Sequence, residues 1–110
     1  MLRFLKVTGN SLFPLYQEGD FVLIIKIPFS LWGYFRYHIG DVVVVKHPYY
    51  GLLIKSIKSI SNDGKQFFLI GTQDESTDSR QFGLVEHHWI LGKVIWHIKN
   101  PGNNYSLKKE

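Results

Sequence analysis

Three times the chain sets a glycine and an aspartate beside an apolar run. Gly19-Asp20 precedes residues 21–27, and Gly40-Asp41 precedes the four valines of 42–45. Asn62-Asp63-Gly64 separates residues 52–60 from 66–70. Glycine reaches the positive φ that tight turns demand, and aspartate hydrogen-bonds back to its own backbone, so each cluster reverses the chain. Runs of Val and Ile suit the pleated surface of a strand. Turns recurring at this spacing between short β-type runs, with no sustained helical period anywhere, predict an all-β domain with few or no helices.

The strands follow in order. Residues 3–8 alternate loosely and form the first. Residues 21–27 form a second that is apolar enough to be buried on both faces, ended by Pro28. The valine run 42–45 closes in the turn chemistry of His47-Pro48-Tyr49-Tyr50-Gly51. Residues 52–60 and 66–70 form a hairpin about Asn62-Asp63-Gly64. Residues 82–85 re-enter the core and 90–98 make the last strand. Between strands two and three lies an insert, 29–39, crowded with Phe29, Trp32, Tyr34, Phe35 and Tyr37. Such a cluster either covers one mouth of the core, which is the commoner outcome, or forms an exposed rim that grips a peptide or rests on a membrane surface. Residues 71–80 form a polar loop, long for a small domain, and long loops are often functional.

A chain of 110 residues, 45% of them hydrophobic, makes one domain with a real core, here 1–99, followed by a frayed tail at 100–110. The absence of cysteine excludes disulfides and thiolate metal sites. The net charge of +4 is spread along the chain, which suits a solvated surface better than a nucleic-acid footprint. The longest nearly apolar stretch, 21–35, is broken by Lys26 and Pro28 and falls short of the ~20 residues of a membrane span. The N-terminus has no apolar signal-peptide core, so the protein is expected in the cytoplasm.

Chemistry concentrates in three places. Gly9, Ser11 and Pro14 lie on the connection after the first strand. A serine on such a bend, beside backbone N–H groups without ladder partners, meets the needs of a nucleophile with an oxyanion hole; equally, it can simply cap a helical turn. The strand 52–60 carries two lysines. With a period of two, Leu53, Lys55, Ile57 and Ser59 share one face, and Lys58 shares the other with Ile54, Ser56 and Ile60. Burial between Leu53 and Ile57 would lower the pKa of Lys55 toward that of a general base. From the strand alone, an ammonium that snorkels out from an edge is the commoner fate of either lysine. In the loop, Asp78 and Arg80 are two apart and suited to pair, with Ser76 or Ser79 presenting a hydroxyl. The five histidines, His38, His47, His87, His88 and His97, lack metal-ligand spacing and read as surface or packing residues. Asp20, Asp41 and Asp63 are accounted for by their turns. No cofactor or metal is called for.

Taken together, these segments resemble the type I signal peptidase family of Ser–Lys peptidases. Val7-x-Gly9-x-Ser11-Leu12-x-Pro14 is similar to its nucleophile box, and Leu53-Ile54-Lys55-Ser56-Ile57 to its base box. Ser76-Thr77-Asp78-Ser79-Arg80-Gln81-Phe82-Gly83 resembles its Ser-x-Asp-Ser-Arg-x-x-Gly box, and Ile90-Leu91-Gly92-Lys93-Val94 its closing strand. The resemblance implies a small β-barrel or coiled β-sheet catalytic core, with Ser11 as nucleophile and Lys55 as general base. It further implies that Ser76 orients the amine, that Asp78 and Arg80 brace the loop, and that the backbone at Ser11 and Gly9 serves the oxyanion. Leu12 stands where the family usually has Met, Ser56 where it has Arg, and Gly71-Thr72-Gln73-Asp74 is an altered Gly-Asp-Asn box. Without the family's membrane anchor and second β-domain, the chain most resembles the small soluble peptidases that mature nickel-containing superoxide dismutase. That implies a precursor protein as partner, with nickel belonging to the substrate.

Two other classes compete. A catalytically inactive member would keep the fold and bind without cutting. A small β-barrel module would use residues 29–37 to grip a peptide or to stack single-stranded nucleic acid, with the salt dependence that entails. The self-cleaving repressors, which share the Ser–Lys fold, cut at Ala-Gly or Cys-Gly, and this chain has neither Ala nor Cys.

Overall fold

The computed structural model describes residues 2–6, 19–71 and 78–99. The expected nucleophile segment with Gly9, Ser11 and Pro14, the loop serine Ser76 and the tail 100–110 lie outside the described residues.

Seven strands form one antiparallel sheet: β1 Leu2–Lys6, β2 Phe21–Ile25, β3 Val42–His47, β4 Gly51–Ile60, β5 Gln66–Ile70, β6 Val85–Glu86 and β7 Ile90–Ile98. Their order across the sheet is β1-β2-β7-β3-β4-β5-β6. The sheet is open, with β1 and β6 at its edges, rather than closed into a barrel. The helical elements are short: α1, Ser79–Phe82, and two single 3₁₀ turns, Phe29–Leu31 and His87–Trp89. No helix among the described residues is long and apolar enough to cross a membrane.

The turns work as their residues require. Gly64 sits at φ 74° beneath the indole of Trp32, where a Cβ would collide with the ring. The Asp63 carboxylate accepts from the Ser61 hydroxyl at 2.6 Å and from the Lys65 N–H at 2.9 Å, which locks the β4–β5 hairpin.

Apolar residues pack on both faces of the sheet. One cluster holds Val43, Val45, Ile57, Phe67, Leu69, Val85 and Ile90, covered by Ile27, which follows β2, and by Tyr37 of the insert. The smaller cluster, on the opposite side of β3, holds Val22, Ile24 and Val44. Alternate valines of β3 therefore belong to different clusters, and β3 is the strand buried on both sides. The expectation that β2 would be so is corrected. Val22 and Ile24 are fully buried, but Phe21 is 42% exposed and Leu23 and Ile25 are half-buried. The reason is position: β3 is central in the sheet, while β2 lies one strand from its edge.

A second correction concerns β4. Its register with β5 shifts between Ile57, opposite Leu69, and Ser59, opposite Phe68. Lys58 is the extra residue of a bulge, so the alternation changes phase beyond it. Ile60 now packs against the larger cluster and Ser59 is exposed, the reverse of a strict period of two.

Candidate functional site

Lys55 sits in mid-β4, opposite Val43 of β3 and one residue before Ser56, which pairs with Ile70 at the end of β5. Strand geometry alone turns it to the face of Ile57, and that face is covered. The Lys55 side chain is fully buried, and Nζ has no hydrogen-bond partner among the described residues. An ammonium without partners, removed from water, is strongly disfavoured. Burial accordingly lowers the Lys55 pKa from its ordinary value. The Asp78 carboxylate opposes that shift and the Arg80 guanidinium adds to it. The outcome is an amine that carries its lone pair at lower pH than a surface lysine, able to accept a proton or attack an electrophile. Lys58, by contrast, points out from the bulge and is exposed. The snorkelling fate belongs to Lys58 alone.

Asp78 and Arg80 form the pair expected of them. Arg80 Nη2 donates to Asp78 Oδ2 at 2.8 Å, and its Nε donates to Oδ1 at 3.1 Å. Asp78 is also the N-cap of α1, its Oδ1 accepting from the Arg80 N–H at 3.0 Å. Two further bonds fasten α1 to β5. Leu69 N–H donates to Ser79 Oγ and Gly71 N–H to Asp78 Oδ2, each at 2.8 Å. Burial alone would raise the Asp78 pKa. The Arg80 side chain and the N–H groups of Gly71 and Arg80 outweigh it and hold the carboxyl below its ordinary value. Ser79 thus spends its hydroxyl on the backbone of β5. Gly71 and Asp78, which flank residues 72–77, are bonded to each other.

The aromatic insert divides. Trp32 and Tyr37 belong to the core, as the commoner outcome had it. Tyr37 is fully buried, its hydroxyl accepting from the Ile27 N–H at 2.9 Å. Trp32 packs edge-on against Tyr37, Phe67 and His87. Phe29, Leu31, Tyr34 and Phe35 stay exposed.

Two features were not read from the sequence. Asp20, assigned to its turn, is fully buried with Oδ2 2.6 Å from His97 Nε2, joining the start of β2 to the end of β7. Only the pairing of Val22 with His97, 75 positions apart in the sequence, brings them together. His87 lies among Phe29, Trp32, Tyr37 and Phe67, its Nε2 buried without a partner among the described residues. Burial, with help from the positive charges of Lys26 and His88, lowers its pKa. His47 accepts the N–H groups of Tyr49 and Tyr50 on Nδ1, at 3.0 and 3.2 Å, and so shapes the β3–β4 turn. Among the described residues no group of three His, Asp or Glu could hold a metal ion.

Comparison with protein-family models and with curated proteins found no match to this chain.

Proposed function

We propose that the chain is a cytoplasmic serine endopeptidase with a Ser11–Lys55 dyad, which removes an N-terminal leader from a precursor protein, that of nickel superoxide dismutase by the resemblance of its motifs. The observation that carries this is the Lys55 amine: fully buried, without a hydrogen-bond partner among the described residues, and lowered in pKa. A purely structural lysine pays desolvation for nothing at such a position; a general base needs it.

In the proposed reaction neutral Lys55 takes the Ser11 hydroxyl proton as the oxygen attacks the scissile carbonyl. Backbone N–H groups at Ser11 and Gly9 hold the oxyanion. The Lys55 ammonium then returns the proton to the departing amine. Water, activated by the same lysine, releases the leader and restores Ser11. Ser76 orients the amine. The Asp78–Arg80 pair holds the loop, and Arg80 offsets part of the pull of the Asp78 carboxylate on the Lys55 charge, leaving burial as the larger effect.

The test is co-expression with the precursor, reading the product's N-terminus by mass. Ser11→Ala and Lys55→Arg should each abolish processing, the second because a guanidinium does not deprotonate. Lys58→Arg should process normally. Activity should rise with pH along one ionisation lying below the ~10.4 of a free lysine. Processing by a folded Lys55→Arg protein would rule out this mechanism.

A further inference from the structure

Beside the insert, away from the Asp78–Arg80 clamp, lies a groove of about 660 Å³. Its walls are Ile25 and Ile27, leaving β2, Leu31 and Phe35 of the insert, and Ile95. Ile95 is the extra residue of a bulge. Trp96 pairs with Leu23 and Val94 with Ile24, so Ile95 is left without a partner on β2. The bulge turns it out beside the insert, where it stays half exposed.

The rim is positive. Asp41 already holds Lys93 at 3.5 Å and the His38 N–H at 2.7 Å. Lys26 and Arg36 have no acidic partner among the described residues; Arg36 spends only its Nε, on the Trp32 carbonyl at 2.9 Å. The groove thus combines an apolar floor with two cations that have no acidic partner among the described residues, in the volume range of small-molecule sites.

We propose that this groove binds an anionic amphiphile, a single acyl chain lying against Ile25, Leu31, Phe35 and Ile95 with its carboxylate at Lys26 and Arg36. The fold narrows the choice of occupant. A peptide strand needs a free ladder edge; β2 is paired on both sides, with β1 and β7, and β7 is paired with β3 as far as Lys93. An acyl chain has no backbone polar groups and needs none. A second copy related by a two-fold axis would set Lys26 and Arg36 against their own like charges. A flat bilayer would not fill a concave floor.

The experiment is calorimetric titration of the full chain with laurate below its micelle concentration. Parallel arms use dodecyltrimethylammonium and phosphatidylglycerol vesicles. Laurate should bind one to one, and the cationic amphiphile about tenfold or more weakly. The double variant Lys26→Glu, Arg36→Glu should invert that preference, and Phe35→Ser should weaken both ligands with no change in melting temperature. Should the double variant not fold, Arg36→Gln alone should still weaken laurate. Failure of laurate to bind, equal binding of the two amphiphiles, binding to vesicles alone, or variants that bind laurate as the wild type does would each overturn the proposal.

Discussion

Lys55 is costly to bury, and its cost has a definite pH dependence. Its pKa is lowered in the folded chain, so between that value and the ~10.4 of the unfolded chain the unfolded state holds more protons. Stability therefore rises with pH through that window, and the full penalty applies below it. Lys55→Met, similar in length and uncharged, should melt higher than the wild type near neutral pH, with the difference shrinking toward pH ~10. Each kcal/mol relieved corresponds to about 4–8 °C in a domain of this size. Melts of both proteins at the two pH values decide it; identical curves would mean that the amine is not penalised. His87 behaves in the opposite range. Its lowered pKa leaves stability complete above the ordinary value of ~6.5 and lost as pH falls below it, because only the unfolded chain protonates freely. His87→Phe, which keeps a ring among Phe29, Trp32, Tyr37 and Phe67, should flatten that acid loss. Melting temperatures between pH ~8 and ~5 would show it.

At the scale of elements, the insert is half core and half surface, and its two halves should respond differently to truncation. Trp32→Ala should cost about 3–5 kcal/mol, since it empties the space over Gly64 and between Tyr37, Phe67 and His87. Phe35→Ala should stay within about 0.5 kcal/mol, being 63% exposed. Urea titrations of the two variants give both numbers, and equal losses would contradict the division of the insert. The α1 turn shows how short a helical element can be when the fold fastens it. Four residues are too short to be stable as a helix alone, yet Asp78 and Ser79 fasten them to β5 through Gly71 and Leu69.

For the molecule as a whole, β3 makes the sheet one cooperative unit. Val43 and Val45 enter one cluster and Val44 the other, so neither face can melt while the other keeps its central strand. Far-ultraviolet circular dichroism and tryptophan fluorescence should therefore report the same urea midpoint. Separate midpoints would mean that the two faces unfold independently.

Much of this was legible in the chain itself. Turn chemistry and β-branched runs determined the strands closely: residues 66–70 and 90–98 coincide with β5 and β7, because local propensity and turn geometry act over a few neighbours. The same holds for the pairing of Asp78 with Arg80, two residues apart. The face of Lys55 followed from a period of two, but only as far as the bulge at Lys58. What packs on that face did not follow, since burial depends on residues far away in sequence. Tertiary structure alone decided that Lys55 is enclosed, that β3 rather than β2 is covered on both sides, and that Asp20 meets His97. It likewise decided that Trp32 turns inward while Phe35 turns out. Each depends on which strands become neighbours, and strand order is set by the burial of the whole sheet rather than by any local run of residues.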